Sequence, residues 1–257
     1  MPTRDGYAEG IPSWTDLGTP DVEGAKAFYN TIFGWDYQEE ETDSNPYSMA
    51  LKKELSAAGI GPLQDENMPT VWSTYFAVDS ADATAAKITE AGGALLVEPF
   101  DVMDAGRMAI ASDPTGAVFG IWEAKNHFGA AVVNEHGAVD WNELITDDLD
   151  RAFAFYKEVF GHEVETADMG GGFMYSTINV GERAVAGAMA KPSEDIPNNW
   201  GVYFAVDSAE EAAEAITSNG GTITYGPRET EGVGTFLGAI DPYGAHFNVI
   251  QLAGPVD

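Results

Sequence analysis

The sequence predicts an α+β fold built from repeated βαβββ modules, and three observations carry that expectation. The hexapeptide YFAVDS at Tyr75–Ser80 recurs at Tyr203–Ser208, 128 residues on. The pattern DPxGAxF at Asp113–Phe119 recurs at Asp241–Phe247 at the same spacing, and AFYNTIFG at Ala27–Gly34 answers AFYKEVFG at Ala154–Gly161. Between these blocks, short strand patterns outnumber helical ones, as in curved sheets covered on one face by helices. Matched blocks in one order mark a tandem duplication, with a net one-residue indel between the AFY block, whose offset is 127, and the two later blocks at 128. Ile88, Gly92, Gly93 and Pro99 likewise recur as Ile216, Gly220, Gly221 and Pro227. The boundary falls in NHFGAAVVNEHG, giving domains 1–128 and 129–257.

Within the first half, Ser13–Gly18 reads as a strand. Asp21 then caps a helix whose Ala25, Phe28, Tyr29 and Phe33 keep helical spacing, and Gly34 stops it. Tyr47–Leu51 and Ser56–Ile60 follow as short strands. A second strand–helix unit spans Ser73–Val78 and Ala81–Ala91 and ends at Gly92-Gly93. Strands around Ala94–Val97, Arg107–Ser112 and Ala117–Glu123 complete the half, the last two joined by the turn Asp113-Pro114-Thr115-Gly116. From Trp141 onward the second half repeats this order. Each half thus holds two modules, four in the chain.

Composition bounds the function. With 257 residues, 44% of them hydrophobic, the chain can bury a substantial core. There is no cysteine, which excludes disulfides, a thiolate nucleophile and thiolate metal sites. Asp and Glu number 42 against 12 Lys and Arg, a formal charge of −30, which repels nucleic acid and anionic membrane surfaces. The acids are dispersed in runs such as EEETD, TDDLD and SAEEAAE, giving a soluble acidic surface or an adaptation to high salt. No apolar run is long enough to span a bilayer and MPTRDGYAEG has no signal-peptide core, so a cytoplasmic protein is expected.

The patterns DxxxAxxFYxxxFG after the first strand and DPxGAxF before the last, with the βαβββ order, resemble the glyoxalase, bleomycin-resistance and dioxygenase superfamily (the vicinal oxygen chelate proteins). The tandem form, opening strands with WTDL and WNEL, resembles its two-domain actinobacterial antigen branch. The resemblance implies paired modules curled into cups that hold a small molecule. It also implies metal-ligand positions, which fall at Trp14 and Trp141, Ser73 and Gly201, Gly120 and Asn248, and Ala58 and Ala186. Indole, Gly and Ala donate nothing to a divalent ion, and Asn248 alone would not hold one. No metal and no cofactor are therefore expected.

Strand alternation puts Trp14 with Asp16, and Trp141 with Glu143, on shared faces. An indole beside a carboxylate suits a flat, partly cationic ligand; otherwise each Trp fills a core and each acid bonds backbone or faces water. Trp72 and Trp200 could form aromatic walls or loop anchors, Tyr75 and Tyr203 could reach the cavity through their hydroxyls, and Arg107 could hold a ligand carboxylate or pair with a surface acid. His246 and Asn248 share a face that in the first half carries Val118 and Gly120, so the two cups are expected to differ. The functional expectation is a metal-independent binding protein that sequesters or senses a small aromatic or hydrophobic ligand. The alternative is a lyase, isomerase or dioxygenase-type enzyme using an unrecognised metal site or Glu143 and His246 as an acid–base pair. No nucleic acid or membrane partner is expected. The chain would act as a monomer with an intramolecular pseudo-dimer, or as a homodimer.

Overall fold

A computed structural model describes residues 3–40 and 47–254, leaving the end of the acidic run Glu39–Asp43 outside the described residues. The first half runs β1 (Pro12–Thr19), α1 (Val22–Phe33), β2 (Asp36–Glu40), β3 (Tyr47–Lys52), β4 (Leu55–Pro62), β5 (Val71–Ala77), α2 (Ala81–Glu90), β6 (Ala94–Val102), β7 (Gly106–Ser112) and β8 (Val118–Ala124). The second runs β9 (Val139–Thr146), α3 (Leu149–Phe160), β10 (Glu163–Asp168), β11 (Met174–Val180), β12 (Arg183–Ala190), β13 (Asn199–Ala205), α4 (Ala209–Ser218), β14 (Thr222–Thr230), β15 (Gly234–Ile240) and β16 (His246–Leu252). This is the expected order with one addition. The strands β2 and β10 carry no apolar alternation in DYQEE and EVETAD; they pair only with β3 and β11, as polar edge strands.

Each half forms one open eight-stranded sheet, ordered β2-β3-β4-β1-β5-β8-β7-β6 and β10-β11-β12-β9-β13-β16-β15-β14. The central strands of the two modules, β1 with β5 and β9 with β13, run antiparallel. The helices begin where the sequence says. Asp21 and Asp148 accept the backbone N–H of Gly24 and Arg151, and Gly34 and Gly161 close the helices in the left-handed conformation at φ 65° and 71°.

The helices lie between the two sheets, α1 against α4 and α2 against α3, so the two helical cores are each shared between the halves. In one core Phe28, Tyr29 and Phe33 meet Phe204, Phe247 and Ile216; in the other Phe76, Phe119 and Ile88 meet Phe155, Tyr156 and Phe160. The repeated motifs are the fasteners. Tyr29 donates to the Asp241 carboxylate of the other half at 3.0 Å, and Tyr156 donates to Asp113 at 3.0 Å. The other oxygen of each Asp holds its own turn, accepting from Thr115 and Ala117 or from Tyr243 and Ala245. DPxGAxF and the FY of the helix are thus two ends of one cross-tie. With the helical faces turned inward, the opposite faces of the two sheets form the cups.

Candidate functional site

The two cups are built from matched residues. In the first, β1 presents Trp14 and Asp16, β3 presents Tyr47 and β5 presents Tyr75. The Tyr75 hydroxyl donates to Asp16 at 3.2 Å and the Tyr47 hydroxyl at 3.3 Å, while Trp14 Nε1 donates to Tyr47 Oη at 3.1 Å. In the second, β9 presents Trp141 and Glu143, β11 presents Tyr175 and β13 presents Tyr203. Trp141 Nε1 donates to Tyr175 Oη at 3.0 Å, the Tyr203 hydroxyl donates to Glu143 at 2.9 Å, and Tyr175 bonds the same carboxylate. Each cup therefore centres on one carboxylate held by two phenols beneath an indole. Sequence alone does not single out Tyr47 and Tyr175, although they lie 128 residues apart as Tyr75 and Tyr203 do. Glycine makes their placement possible: a Cβ at Gly59 or Gly187 would overlap the hydroxyl of Tyr47 or Tyr175.

Burial governs the protonation of these groups. It pushes the Asp16 carboxyl up to about 6, against the opposing pull of the Tyr75 and Tyr47 hydrogen bonds. Glu143 is also raised, by burial first, with Tyr203 and Tyr175 pulling it down. Burial beside a carboxylate holds Tyr75 and Tyr203 well above the ordinary phenol value, so both remain hydrogen-bond donors.

The cups differ in what covers them. The linker after β8 folds over the first: Ser56 Oγ donates to Gly129 O, Ala130 N donates to Ser13 O, and Ala130 joins Trp14, Tyr75 and Trp122 in a small apolar cluster with Val133 against it. The His127 ring sits edge-on to Trp14 with centroids 4.5 Å apart, and Trp122 Nε1 donates to His127 O. Burial drives the His127 imidazole down to about 4, keeping it neutral. Trp14 and Tyr75 are left 6% and 5% exposed. Over the second cup, Trp141, Tyr175 and Tyr203 are only half-buried. Tyr225 of β14, with Phe236 beside it, extends the polar network by bonding Tyr203 at 3.3 Å and Asn248 at 2.9 Å. Around it Phe173, Met174 and Tyr225 remain 45%, 48% and 40% exposed.

Several expected site residues lie elsewhere. Trp72 and Trp200 are not cavity walls; they face the helices, where Trp72 donates to Tyr29 Oη at 2.9 Å and Trp200 to Tyr156 Oη at 2.7 Å. Three residues before Tyr75 and Tyr203, they fall on the other side of the pleat. Arg107 is not free for a ligand: its guanidinium forks onto Asp82 with two 2.9 Å bonds and donates to Pro99 O. His246 stands exposed at the start of β16, and no hydrogen bond or ion pair among the described residues joins it to Glu143, so that acid–base pair is not assembled. Asn248 does line the second cup, accepting from Tyr225. Ala58 and Ala186 are buried in the helical cores, and the neighbouring Gly59 and Gly187 are the residues beneath the tyrosines.

The family model described as the Glyoxalase/Bleomycin resistance protein/Dioxygenase superfamily matches residues 11–121 and again 138–249. The chain belongs to this superfamily. It is 41% identical to "Putative glyoxylase CFP32" of Mycobacterium tuberculosis over 98% of this chain and 99% of that one. It is 32% identical to the anthracycline biosynthesis protein DnrV of Streptomyces peucetius, over 96% and 94%. Among solved structures, the Mn(II)-bound glyoxalase of Novosphingobium aromaticivorans superposes with a TM-score of 0.66 at 19% identity, covering 97% of this chain and 84% of that one. The 2,3-dioxygenase LapB of Pseudomonas sp. KL28 gives the same TM-score at 14% identity, over 97% and 94%. At these identities the structural likeness establishes the fold.

Such a fold can carry a divalent ion, but the donors here do not fit one. Each cup offers a single carboxylate already accepting from tyrosines that stay protonated. The positions of the metal pattern themselves hold Trp14, Ser73, Gly120 and Ala58 in one half and Trp141, Gly201, Asn248 and Ala186 in the other, none of them a carboxylate or an imidazole. No group of three His, Cys, Asp or Glu that could hold a metal occurs among the described residues. Nor is any described helix long and apolar enough to cross a membrane.

Proposed function

We propose that the chain is a metal-independent small-molecule-binding protein whose working site is the second cup, taking a flat aromatic ligand bearing a hydroxyl or a cationic group. The observation that carries this reading is the Glu143–Tyr203–Tyr225–Asn248 network, set beside a half-buried indole and running from the buried Glu143 to the exposed Tyr225. Trp141 and Phe236 supply flat apolar surface, and the network supplies a few directed polar groups, the usual make-up of a ligand site. The 32% identity to a protein named for anthracycline biosynthesis is consistent with an aromatic ligand. The acidic surface and the absence of cysteine support a cytoplasmic setting, and the shared cores support a single chain as a built-in pseudo-dimer.

One observation favours catalysis as a second reading: Glu143 is a carboxyl that burial raises above its ordinary value, beside two phenol donors, a setting suited to moving a proton. Titration with hydroxynaphthoquinones, followed by tryptophan fluorescence and by product analysis, separates the two. Saturable quenching with the compound recovered unchanged supports binding. Turnover that is lost in Glu143→Gln, with folding retained, would establish the enzyme instead.

A further inference from the structure

A cavity of about 310 Å³ lies at the seam of the two halves, apart from the polar centre of either cup. The amino-terminal segment forms one wall. Thr3 bridges to Val132, Arg4 N donates to Ala131 O at 3.0 Å, and the Tyr7 hydroxyl donates to Ala130 O at 2.7 Å, fastening this segment to the linker. The starts of β9 and β12 form the opposite wall, bringing Asp140 and Arg183 into the same space as Arg4.

Lys26, Lys53, Lys87, Arg107, Lys125 and Lys191 pair with acids, whereas Lys52, Arg151, Lys157, Arg228 and the two arginines of this cavity make no ion pair among the described residues. Among the described residues no carboxylate lies within ion-pair distance of Arg4 or Arg183, although acids outnumber bases by 42 to 12. Instead Arg4 and Arg183 line the same cavity and both act on the Tyr7 hydroxyl, and Arg183 is held below its ordinary value by burial first and then by the charge of Arg4. Two like charges facing one cavity cost free energy that a bound anion would return. Asp140 lines the same cavity, with its carboxyl pushed up to about 6 by burial alone. Neither arginine acts on Asp140, so its carboxylate leaves the two guanidinium groups uncompensated and, lining the same cavity, opposes a second negative charge on a ligand. The rest of the lining, Ile11, Val185 and Leu252, is apolar.

We propose that this cavity is a second ligand site, taking the carboxylate of a small acid between Arg4 and Arg183, with the acid's apolar body against Ile11, Val185 and Leu252. Guanidinium forks match a carboxylate's two oxygens. Trp141 is at once part of the second cup and part of this cavity, so the two sites are neighbours through one indole.

The test is a calorimetric titration of the full-length protein with 1-naphthoate, 1-naphthamide and 1-naphthyl phosphate at pH 7.5. Saturable naphthoate binding is expected, at least tenfold tighter than naphthamide and tighter than the phosphate. It should weaken at least tenfold in the Arg4→Gln/Arg183→Gln double variant, whose circular dichroism and melting temperature serve as the folding control. Asp140→Asn should tighten it severalfold by removing the opposing charge, and Tyr203→Phe should leave it unchanged. Absence of saturable naphthoate binding, equal affinity for the amide, tighter binding of the phosphate, or undiminished binding in a folded double variant would each overturn the proposal. A loss confined to Tyr203→Phe would assign the acid to the cup instead. Failure here leaves the cup reading standing, because that reading rests on the neutral hydroxynaphthoquinone response and on Glu143 and Tyr203.

Discussion

The helical and the cup faces of this molecule have diverged to different degrees. On the helical side the halves are near mirror images in chemistry: Trp72, Tyr29 and Asp241 form one buried chain of hydrogen bonds, and Trp200, Tyr156 and Asp113 form the other. On the cup side the centres match but the surroundings do not. Asp16 becomes Glu143, Gly120 becomes Asn248, Val97 becomes Tyr225, and the linker closes one cup while the other stays open. Both halves are needed to build the shared cores, so the helical faces hold each other fixed. The cup faces share no such core, only the linker of the second half lying over the first cup, and they were free to be filled or opened.

Cutting the chain between residues 128 and 129, the proposed domain boundary, has the largest expected effect. Each isolated half would expose rings such as Phe28, Tyr29, Phe204 and Phe247, at roughly 2–3 kcal/mol apiece. Two such rings per half amount to about 4–6 kcal/mol, comparable with the whole stability of a small domain, about 5–15 kcal/mol. The expected outcome is that neither half is a folded monomer by circular dichroism, and that mixing the two restores a 1:1 complex.

The equivalence of the cores is tested by Tyr29→Phe and Tyr156→Phe. Each leaves a buried Asp oxygen and an indole N–H without the phenol, at a cost of about 1–3 kcal/mol. Denaturant unfolding should give similar losses for both; a difference of several kcal/mol would show that the two cross-ties are not equivalent.

The divergence of the cups is tested by Gly59→Ala and Gly187→Ala. Both should displace a tyrosine, Tyr47 or Tyr175, because a Cβ overlaps its hydroxyl. Only Gly187→Ala should weaken hydroxynaphthoquinone binding, by about tenfold, equivalent to about 1.4 kcal/mol.

A smaller effect is expected from the closed cup's carboxyl. Asp16 titrates near 6 in the folded protein and near its ordinary 3.8 when unfolded, so the folded state binds the extra proton. Asp16 therefore costs nothing below about pH 4, and destabilises progressively as pH rises to about 6. Relative to wild type, Asp16→Asn should gain about 1 kcal/mol at pH 7.5 and nothing at pH 3.5, a gain reduced by the partial access of solvent to this carboxyl. Melting temperatures at the two pH values check the sign.

Much of this is legible in the chain because repeats and helix caps are local. The offsets of YFAVDS and DPxGAxF locate the halves, and Asp21 and Gly34 bound the first helix. The strands β2 and β10 leave no such mark, because an edge strand need bury no face. The assignment of Trp72 and Trp200 to the cavity fails for a reason the sequence itself contains: a residue three positions before Tyr75 faces the other way. The partner of Arg107 is hidden because Asp82 comes close only after β7 packs beside α2. The role of DPxGAxF is hidden for the same reason, since Tyr29 and Asp241 meet only across the two halves. Tyr225 enters the cup from a strand with no matching tyrosine in the first half, so the repeat offers no pointer to it.

The most direct test of the account is a calorimetric titration of chelator-treated protein with a hydroxynaphthoquinone, compared among wild type, Tyr203→Phe and Tyr75→Phe. The account predicts one site per chain without added metal, weakened at least tenfold by Tyr203→Phe and unaffected by Tyr75→Phe. Binding that requires a divalent ion, that fills two sites, or that follows Tyr75 would contradict it.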